Sequence, residues 1–590
     1  MANAAALYEA GLVHMRAGRY LDAQICGQQA LALDSDHADT LHLMGLLSLH
    51  AKQADQAVEW ISQAIRRDPK PAYLTSLGTT LLDQGRREEA LQVFEKAVQL
   101  KPDDADLWRN LGDVLAGAER SGEAILTFQQ ALKLNPRHWD AANKVAHLLY
   151  SAQRFEESVI YFTICDGLQP DQSWTVYMRA LALQKLKRFD EALTDNMRAY
   201  DLDPASADTC NNLGNVLRAL GRNEEAISWF DRSLKLRPDF ADTLTNRAVA
   251  LVELCRFDEA ITTYHRALAI DPNHIIAAWN LAGLQLATGD FKAGWAGREV
   301  RWKLPSLAPH YPKLARPMWL GAEPIADKTL LVISDEGLGD AIQFVRYVPM
   351  LAALGARVIL IAQGALHPLL AGLTGISQYL PTSTDLASLT FDFHCSIYSL
   401  PLIFGTEIDT IPAEIPYIPA PAPGLIQTWE QRLGSHERLR VGLVWSGNPK
   451  HPNDHSRSLP LRMLLPILNC DATFVSLQKD LRPDDKMTLS ERPDIVDLTS
   501  QLTDFAETAA LISCLDLVIS VDTSVAHLSG ALGRPTWILL PYPAEYRWLL
   551  DRDDSPWYPT MRLFRQTEAR DYASVIERVR DQLLALISAG

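Results

Sequence analysis

Two stretches in the second half of the chain place residue types that could carry chemistry at strand-to-helix turns. The first, Ser334-Asp-Glu-Gly-Leu-Gly-Asp340, sets an aspartate behind two glycines. Glycines allow a sharp strand-to-helix turn, and the aspartate opens the helix, where it can also serve as no more than its cap. The second, Val521-Asp-Thr-Ser-Val-Ala-His527, puts Thr523 and Ser524 at a helix start, with His527 one turn on. Free N–H groups and the helix dipole favour phosphate there, although Asp522, Thr523 and Ser524 also read as a capping cluster. A third stretch runs Ser446-Gly-Asn-Pro-Lys450 and on to Arg457. Lys450 and Arg457 could neutralise phosphate while Ser446 and the Gly447 backbone approach it closely; the alternative is a solvated polar loop. Gln478, with Lys479, is expected to end a strand, and Asp504 and Glu507 to open a helix. Any of the three could bond a ribose or base, but N-capping explains the two acids equally well.

Metal chemistry has less support. Asp551-Arg-Asp553 has the D-x-D form of a metal-diphosphate motif but reads as a surface turn placed after the last sheet strand. His394 and Cys395 are expected to end a strand without partners at ligand spacing, and a proline and an asparagine between His451 and His455 disfavour a helical metal pair. Seven widely spaced cysteines without a C-x-x-C pair read as reduced core residues. The expectation is no metal and no cofactor.

These stretches need strands and helices to hold them. Near-continuous apolar runs at 329–334, 357–362, 439–446, 473–478, 516–522 and 536–541 alternate with helical segments, the pattern of parallel sheets covered on both faces. A proline-rich segment at 411–424 marks a hinge, giving two Rossmann-like domains at 329–424 and 425–590 with a ligand cleft between them. Residues 301–328 read as a packed linker.

Residues 1–300 follow another rule. Prolines recur at Pro69, Pro102, Pro136, Pro170, Pro204, Pro238 and Pro272, in steps of 33 and then 34. Small residues recur in phase, among them Gly45, Gly78, Gly112, Ala146, Ala180 and Gly214. Antiparallel helices need small side chains where their backbones approach, and proline cannot continue a helix. The pattern resembles the tetratricopeptide repeat, with eight complete units over about 4–272 and a degenerate ninth from Asn273. Such repeats stack into a superhelix with a concave face. Asn110, Asn212, Asn246 and Asn280 share one column, expected to face inward, where amides can donate to and accept from a peptide backbone.

The G-L-G-D and D-T-S-x-A-H-L stretches resemble the heptosyltransferase-type family of GT-B glycosyltransferases over about 329–566. The resemblance implies a fold of two Rossmann-like domains, an inverting and metal-independent transfer, Asp340 as the general base, and Thr523, Ser524 and His527 around the donor diphosphate. Ser524 departs from the usual glycine. The fusion to repeats looks like bacterial repeat-fused glycosyltransferases, some of which modify flagellins, and implies a protein acceptor recruited by the repeats. A non-catalytic repeat scaffold is the alternative.

A formal charge of −16 opposes phosphate attraction and argues against nucleic acid as a partner. The start lacks the basic and apolar segments of a signal peptide, and no apolar run of membrane-spanning length occurs. A cytoplasmic protein is expected, whose partners are a nucleotide-sugar, a protein acceptor and, through the repeats, a second copy of itself.

Overall fold

The computed structural model describes residues 3–589 apart from 335, 452, 543, 551, 568 and 569. The chain forms two compact units, Met1–Pro238 and Asp239–Gly590.

The first unit is an array of antiparallel helix pairs running from Ala4–Arg16 to Asn223–Leu236. From Pro69 on, each periodic proline stands two residues beyond a helix end, as at Leu100 and Pro102 or Leu134 and Pro136. The small columns have their expected cause. A Cβ added at Gly78, Gly112 or Gly214 would lie 2.5, 2.6 or 2.4 Å from the ring of Phe94, Phe128 or Phe230 in the partner helix. Ser158 and Ser233 replace alanine in the small columns, and their hydroxyls donate to the Ala146 and Ala207 carbonyls at 2.9 and 2.8 Å. Each second helix from Arg87–Leu100 to Asn223–Leu236 also begins with an arginine paired to a glutamate three residues on, such as Arg86–Glu89 and Arg222–Glu225 at 2.7 Å. These pairs are exposed to solvent, which screens them, so they decorate the helix starts rather than hold the array together.

The second unit opens with two more helix pairs, Ala241–Glu253 with Phe257–Ile270 and Ile275–Ala287 with the short Phe291–Arg298. Two all-parallel sheets follow. In the first, β1 (Thr329–Ile333), β2 (Arg357–Ala362), β3 (Ile376–Pro381) and β4 (Phe393–Ser396) are ordered β3-β2-β1-β4, with Leu331 opposite both Ile359 and His394. The second contains β5 (Arg440–Val444), β6 (Thr473–Ser476), β7 (Val496–Asp497), β8 (Leu517–Val521), β9 (Thr536–Leu540) and β10 (Met561–Arg565), ordered β10-β9-β8-β5-β6-β7. All residues of β5 and β8 are buried, as strands covered on both faces require. Strand order reverses at β1 and at β5, where open parallel sheets place ligands beyond the carboxyl ends.

Several expectations shift. β4 contains His394 and Cys395 within it, and β6 stops at Ser476, before Gln478. β10 follows Asp553, so the D-x-D stretch precedes the last strand; Asp551 itself lies outside the described residues. Between the last helix pair and β1, Arg301, Leu304, Trp319 and Ile325 are buried. The first compact unit ends at 238, not near 300, because Phe291 and Trp295 of the last helix pair share one core with Phe344, Tyr546 and Trp557 of the α/β region.

Candidate functional site

The loops leaving β1, β5 and β8 carry most of the residues singled out by sequence. Asp340 lies in the first turn of the helix Leu338–Phe344, and its Oδ2 accepts from the Gly337 N–H at 2.9 Å. It therefore does cap the helix, but Oδ1 remains directed elsewhere: it accepts from Nη2 of Arg547. Arg547 also donates from Nε to Gln343 Oε1 at 2.7 Å and from Nη2 to the Tyr398 hydroxyl at 2.8 Å, while Nη1 meets Glu545 Oε1 at 2.7 Å. Burial opposes the charge on Arg547, but the Asp340 and Glu545 carboxylates outweigh it and raise the group well above its ordinary value.

The turn after β8 meets the first turn directly. Thr523 is the extended N-cap of the helix Ser524–Ala531 and makes no side-chain cap bond; its hydroxyl lies 3.2 Å from Ser520 Oγ. His527, 4% exposed, sets Nδ1 2.9 Å from the Tyr558 hydroxyl and stacks on Trp548. Gly339 fits against its ring: a Cβ there would stand 2.8 Å from Cδ2. Burial, then the positive charge of Arg547, Arg346 and Arg457, drives the His527 pKa well below the usual imidazole value. The ring is thus a neutral hydrogen-bonding group rather than a cation facing phosphate.

The third loop packs beside the second. Gln478 Oε1 accepts from the N–H groups of Trp445 and Ser446 at 3.1 and 2.9 Å, which fixes the exit from β5. The Gly447 N–H donates to Ser458 Oγ at 2.9 Å, and the Arg457 guanidinium lies over Gly447, where a Cβ would be only 2.7 Å from Nη2. Arg457 Nη1 donates to the Asp522 carbonyl at 3.1 Å, tying this loop to the turn after β8. The Ser446 hydroxyl is buried without a hydrogen-bond partner, and Lys450 is exposed on the loop. Cavities of about 660 and 450 Å³ flank this edge, the first lined by Gly447, Asp454 and Arg482, the second by Lys479 and Thr499; both include Asp480.

The ribose and base candidates make bonds within the fold, and for Asp504 this is the N-capping alternative. Besides holding the loop, Gln478 donates from Nε2 to the Asp480 carbonyl at 3.1 Å. Asp504 caps its helix by accepting from the Ala506 and Glu507 N–H groups at 2.8 and 3.0 Å. Glu507 Oε2 accepts from Trp429 Nε1 at 2.7 Å. Each is committed to a bond that builds the fold. The asparagine column departs from the expectation at one place: Asn212 is 4% exposed and donates to Asn196 Oδ1 at 2.9 Å, a bond from the helix Ala207–Ala219 to the second helix of the preceding pair, Phe189–Leu202, so its amide is taken up between helix pairs. Asn110, Asn246 and Asn280 are half-buried. Among the described residues no group of three or more His, Cys, Asp or Glu side chains could hold a metal ion, and no helix is long and apolar enough to cross a membrane.

Sequence reading missed Arg547, Gln343 and Tyr398. Arg547 lies in a short turn, Tyr546–Trp548, with no motif around it, and reaches Asp340 across 207 residues of chain.

Comparison with known proteins follows the same division. Models described as TPR repeat or tetratricopeptide repeat match residues 8–71, 78–117, 117–171, 207–240 and 241–274. Residues 487–540 match the model for glycosyltransferase family 9 (heptosyltransferase), a span that holds Thr523, Ser524 and His527 but not Asp340 or the Ser446–Arg457 loop. Protein FlbA of Caulobacter vibrioides is 26% identical over 318 residues, which are 48% of this chain and 50% of that protein, so the chain spans about half the length of this relative. Solved repeat structures are similar to parts of the chain. YrrB, described as a TPR protein with an unusual peptide-binding site, is 23% identical, with 31% of this chain and 95% of that one covered and a TM-score of 0.29. A tetratricopeptide repeat protein from Parabacteroides merdae is 16% identical, with 41% and 97% covered and a TM-score of 0.31. The chain carries tetratricopeptide repeats in its N-terminal half and a glycosyltransferase family 9 region toward its C-terminus.

Proposed function

We propose that this chain, which joins tetratricopeptide repeats to a glycosyltransferase family 9 region, is an inverting glycosyltransferase that moves a sugar from a nucleotide-sugar to a protein acceptor. The observation that carries the reading is the meeting of the two strand-to-helix turns, with Gly339 against the ring of His527. That contact brings a carboxylate and a helix N-terminus of the family-matched region to one place. Asp340 takes the proton from the acceptor hydroxyl, whose oxygen attacks the anomeric carbon as the bond to the diphosphate breaks. The negative charge on the departing diphosphate is met by Arg457, by the exposed Lys450 of the same loop, and by the free N–H groups at Ser524. Neutral His527 orients the group as a hydrogen-bond partner, Thr523 adds a hydroxyl, and Ser446 with the Gly447 backbone lines the approach. The cavity beside Gly447 is large enough for the nucleoside. No metal or cofactor enters these steps. The repeats supply the acceptor's binding surface, with a protein such as flagellin as the class of acceptor and the cytoplasm as the place of reaction.

Thermal unfolding of the full chain against a panel of nucleoside diphosphates tests the donor site, since a ligand of the folded state raises the transition. A shift with one nucleotide, followed by transfer from the matching nucleotide-sugar that survives EDTA, is the expected result. A chain that binds none of them would favour the scaffold reading.

A further inference from the structure

Arg547 belongs to the second α/β domain, yet three of its four side-chain partners, Asp340, Gln343 and Tyr398, belong to the first. Its side chain is 11% exposed, and its fourth partner, Glu545, accepts from the Arg547 backbone N–H at 3.1 Å as well as pairing with the guanidinium. Tyr398 is fixed in turn by the Tyr546 hydroxyl at 2.5 Å. A guanidinium with acceptors on several sides is a rigid fork, and its bond to Oδ1 complements the Gly337 N–H on Oδ2. The two donors leave the carboxylate of Asp340 one orientation.

We propose that Arg547 is a positioning residue for Asp340, delivered by the nucleotide-binding domain, so that the base is aligned only while the two α/β domains are in contact. This rests on the reading of Asp340 as the base. Arg547 touches neither the loop from Ser446 to Arg457 nor the N-terminus of the Ser524 helix through any hydrogen bond described above, so its task is distinct from holding the diphosphate. Aligning a base needs geometry as well as charge, and a misplacement of an ångström costs about a hundredfold in rate.

The experiment uses the full chain with Arg547→Lys, Arg547→Ala and, as a packing control, Arg346→Lys. Arg346 is another buried arginine between the domains; it donates to the carbonyls of Pro412 and Trp557 at 3.0 and 2.9 Å and makes no bond to Asp340. Arg547→Lys should lower kcat about a hundredfold while nucleoside diphosphate affinity, read by calorimetry, stays within about twofold. Millimolar guanidinium should restore part of the turnover of Arg547→Ala, and it should do nothing for Arg346→Lys. Full turnover in Arg547→Lys overturns the proposal. So does a fall in nucleotide affinity at unchanged kcat, which would make Arg547 a phosphate ligand. An equal loss in Arg346→Lys, with no guanidinium rescue of Arg547→Ala, would reduce the effect to domain packing. If the wild-type chain transfers no sugar, it is the glycosyltransferase reading that fails, and nucleotide affinity in the same variants still shows whether Arg547 faces the ligand.

Discussion

Asp340→Asn keeps the shape of the side chain and an acceptor for the Gly337 N–H, so donor affinity should hold while turnover falls about 10² to 10⁴-fold, the usual worth of a general base. Steady-state kinetics with calorimetry on the same preparation checks both halves. Arg457→Ala removes a cation lying over Gly447 and should weaken nucleoside diphosphate binding by about 1.5 to 3 kcal/mol, roughly ten- to a hundredfold in affinity. A pH effect arises in the repeats. Burial lowers the pKa of His42 from 6.5 to about 4, with its Nε2 held 2.9 Å from Ser76 Oγ. The unfolded chain takes up a proton near pH 6.5 that the folded one refuses, so stability is complete above that pH and is lost as pH falls toward 4. The full effect is on the order of 3 kcal/mol, and it should be absent in His42→Phe, which keeps a ring against Tyr73. Denaturant melts at pH 7 and pH 4.5 measure it. At this scale the sequence shows residues whose role is local: Asp340, Thr523 and Ser524 stand at strand-glycine-helix or strand-hydroxyl-helix junctions. Gln478, Asp504 and Glu507 have suitable chemistry too, but their partners come from elsewhere in the fold and engage them in structural bonds.

Elements differ in how openly they are written. β1, β2, β5, β8 and β9 are continuous apolar runs because both of their faces are covered, and such runs stand out in any sequence. β3 carries exposed Ser377 and Gln378 at a sheet edge, and β7 is two residues long, so neither has a pattern to recognise. In the repeats the informative residue is the glycine that faces an aromatic ring. Gly214→Ala would press a methyl into Phe230 at 2.4 Å and should destabilise by about 1 to 3 kcal/mol. Gly167→Ala sits in the helix Phe155–Leu168 with nothing within 4 Å and should stabilise by up to about 1 kcal/mol through helix propensity alone. Opposite signs from the same chemical change, read by thermal unfolding, separate packing from propensity.

For the molecule as a whole, the period of 34 residues reveals that an array exists but not where it stops being independent. The chemical pattern of the repeats runs past 272, whereas the compact unit ends at Pro238. The reason lies in the last two helix pairs. Trp279 of the helix Ile275–Ala287 receives the guanidinium of Arg298 at 3.5 Å, and Arg298 also faces Tyr398 and Tyr546, the residues around Arg547. Arg570 reaches back to the Glu253 carbonyl at 2.8 Å. These contacts make the terminal repeats part of the α/β unit, so a cut at 272 would strip helices that the α/β region uses as its own wall. A cut after Pro238 follows the boundary. The chain from Asp239 onward should fold, bind nucleoside diphosphate as the full chain does, and transfer sugar to a short peptide or water, yet lose transfer to a full-length protein acceptor. Binding energy from repeats remote from the reacting hydroxyl is then what positions that acceptor. Replacing Asn110 and Asn280 with alanine in the full chain should produce a milder form of the same loss, while Asn212→Ala should act through stability instead, because its amide bonds its helix to the preceding helix pair. The measurement is transfer to protein and to peptide acceptors side by side, with unfolding curves for each variant. Equal transfer to the full-length protein by the truncated and intact chains would mean that the first seven helix pairs serve self-association or placement rather than acceptor choice.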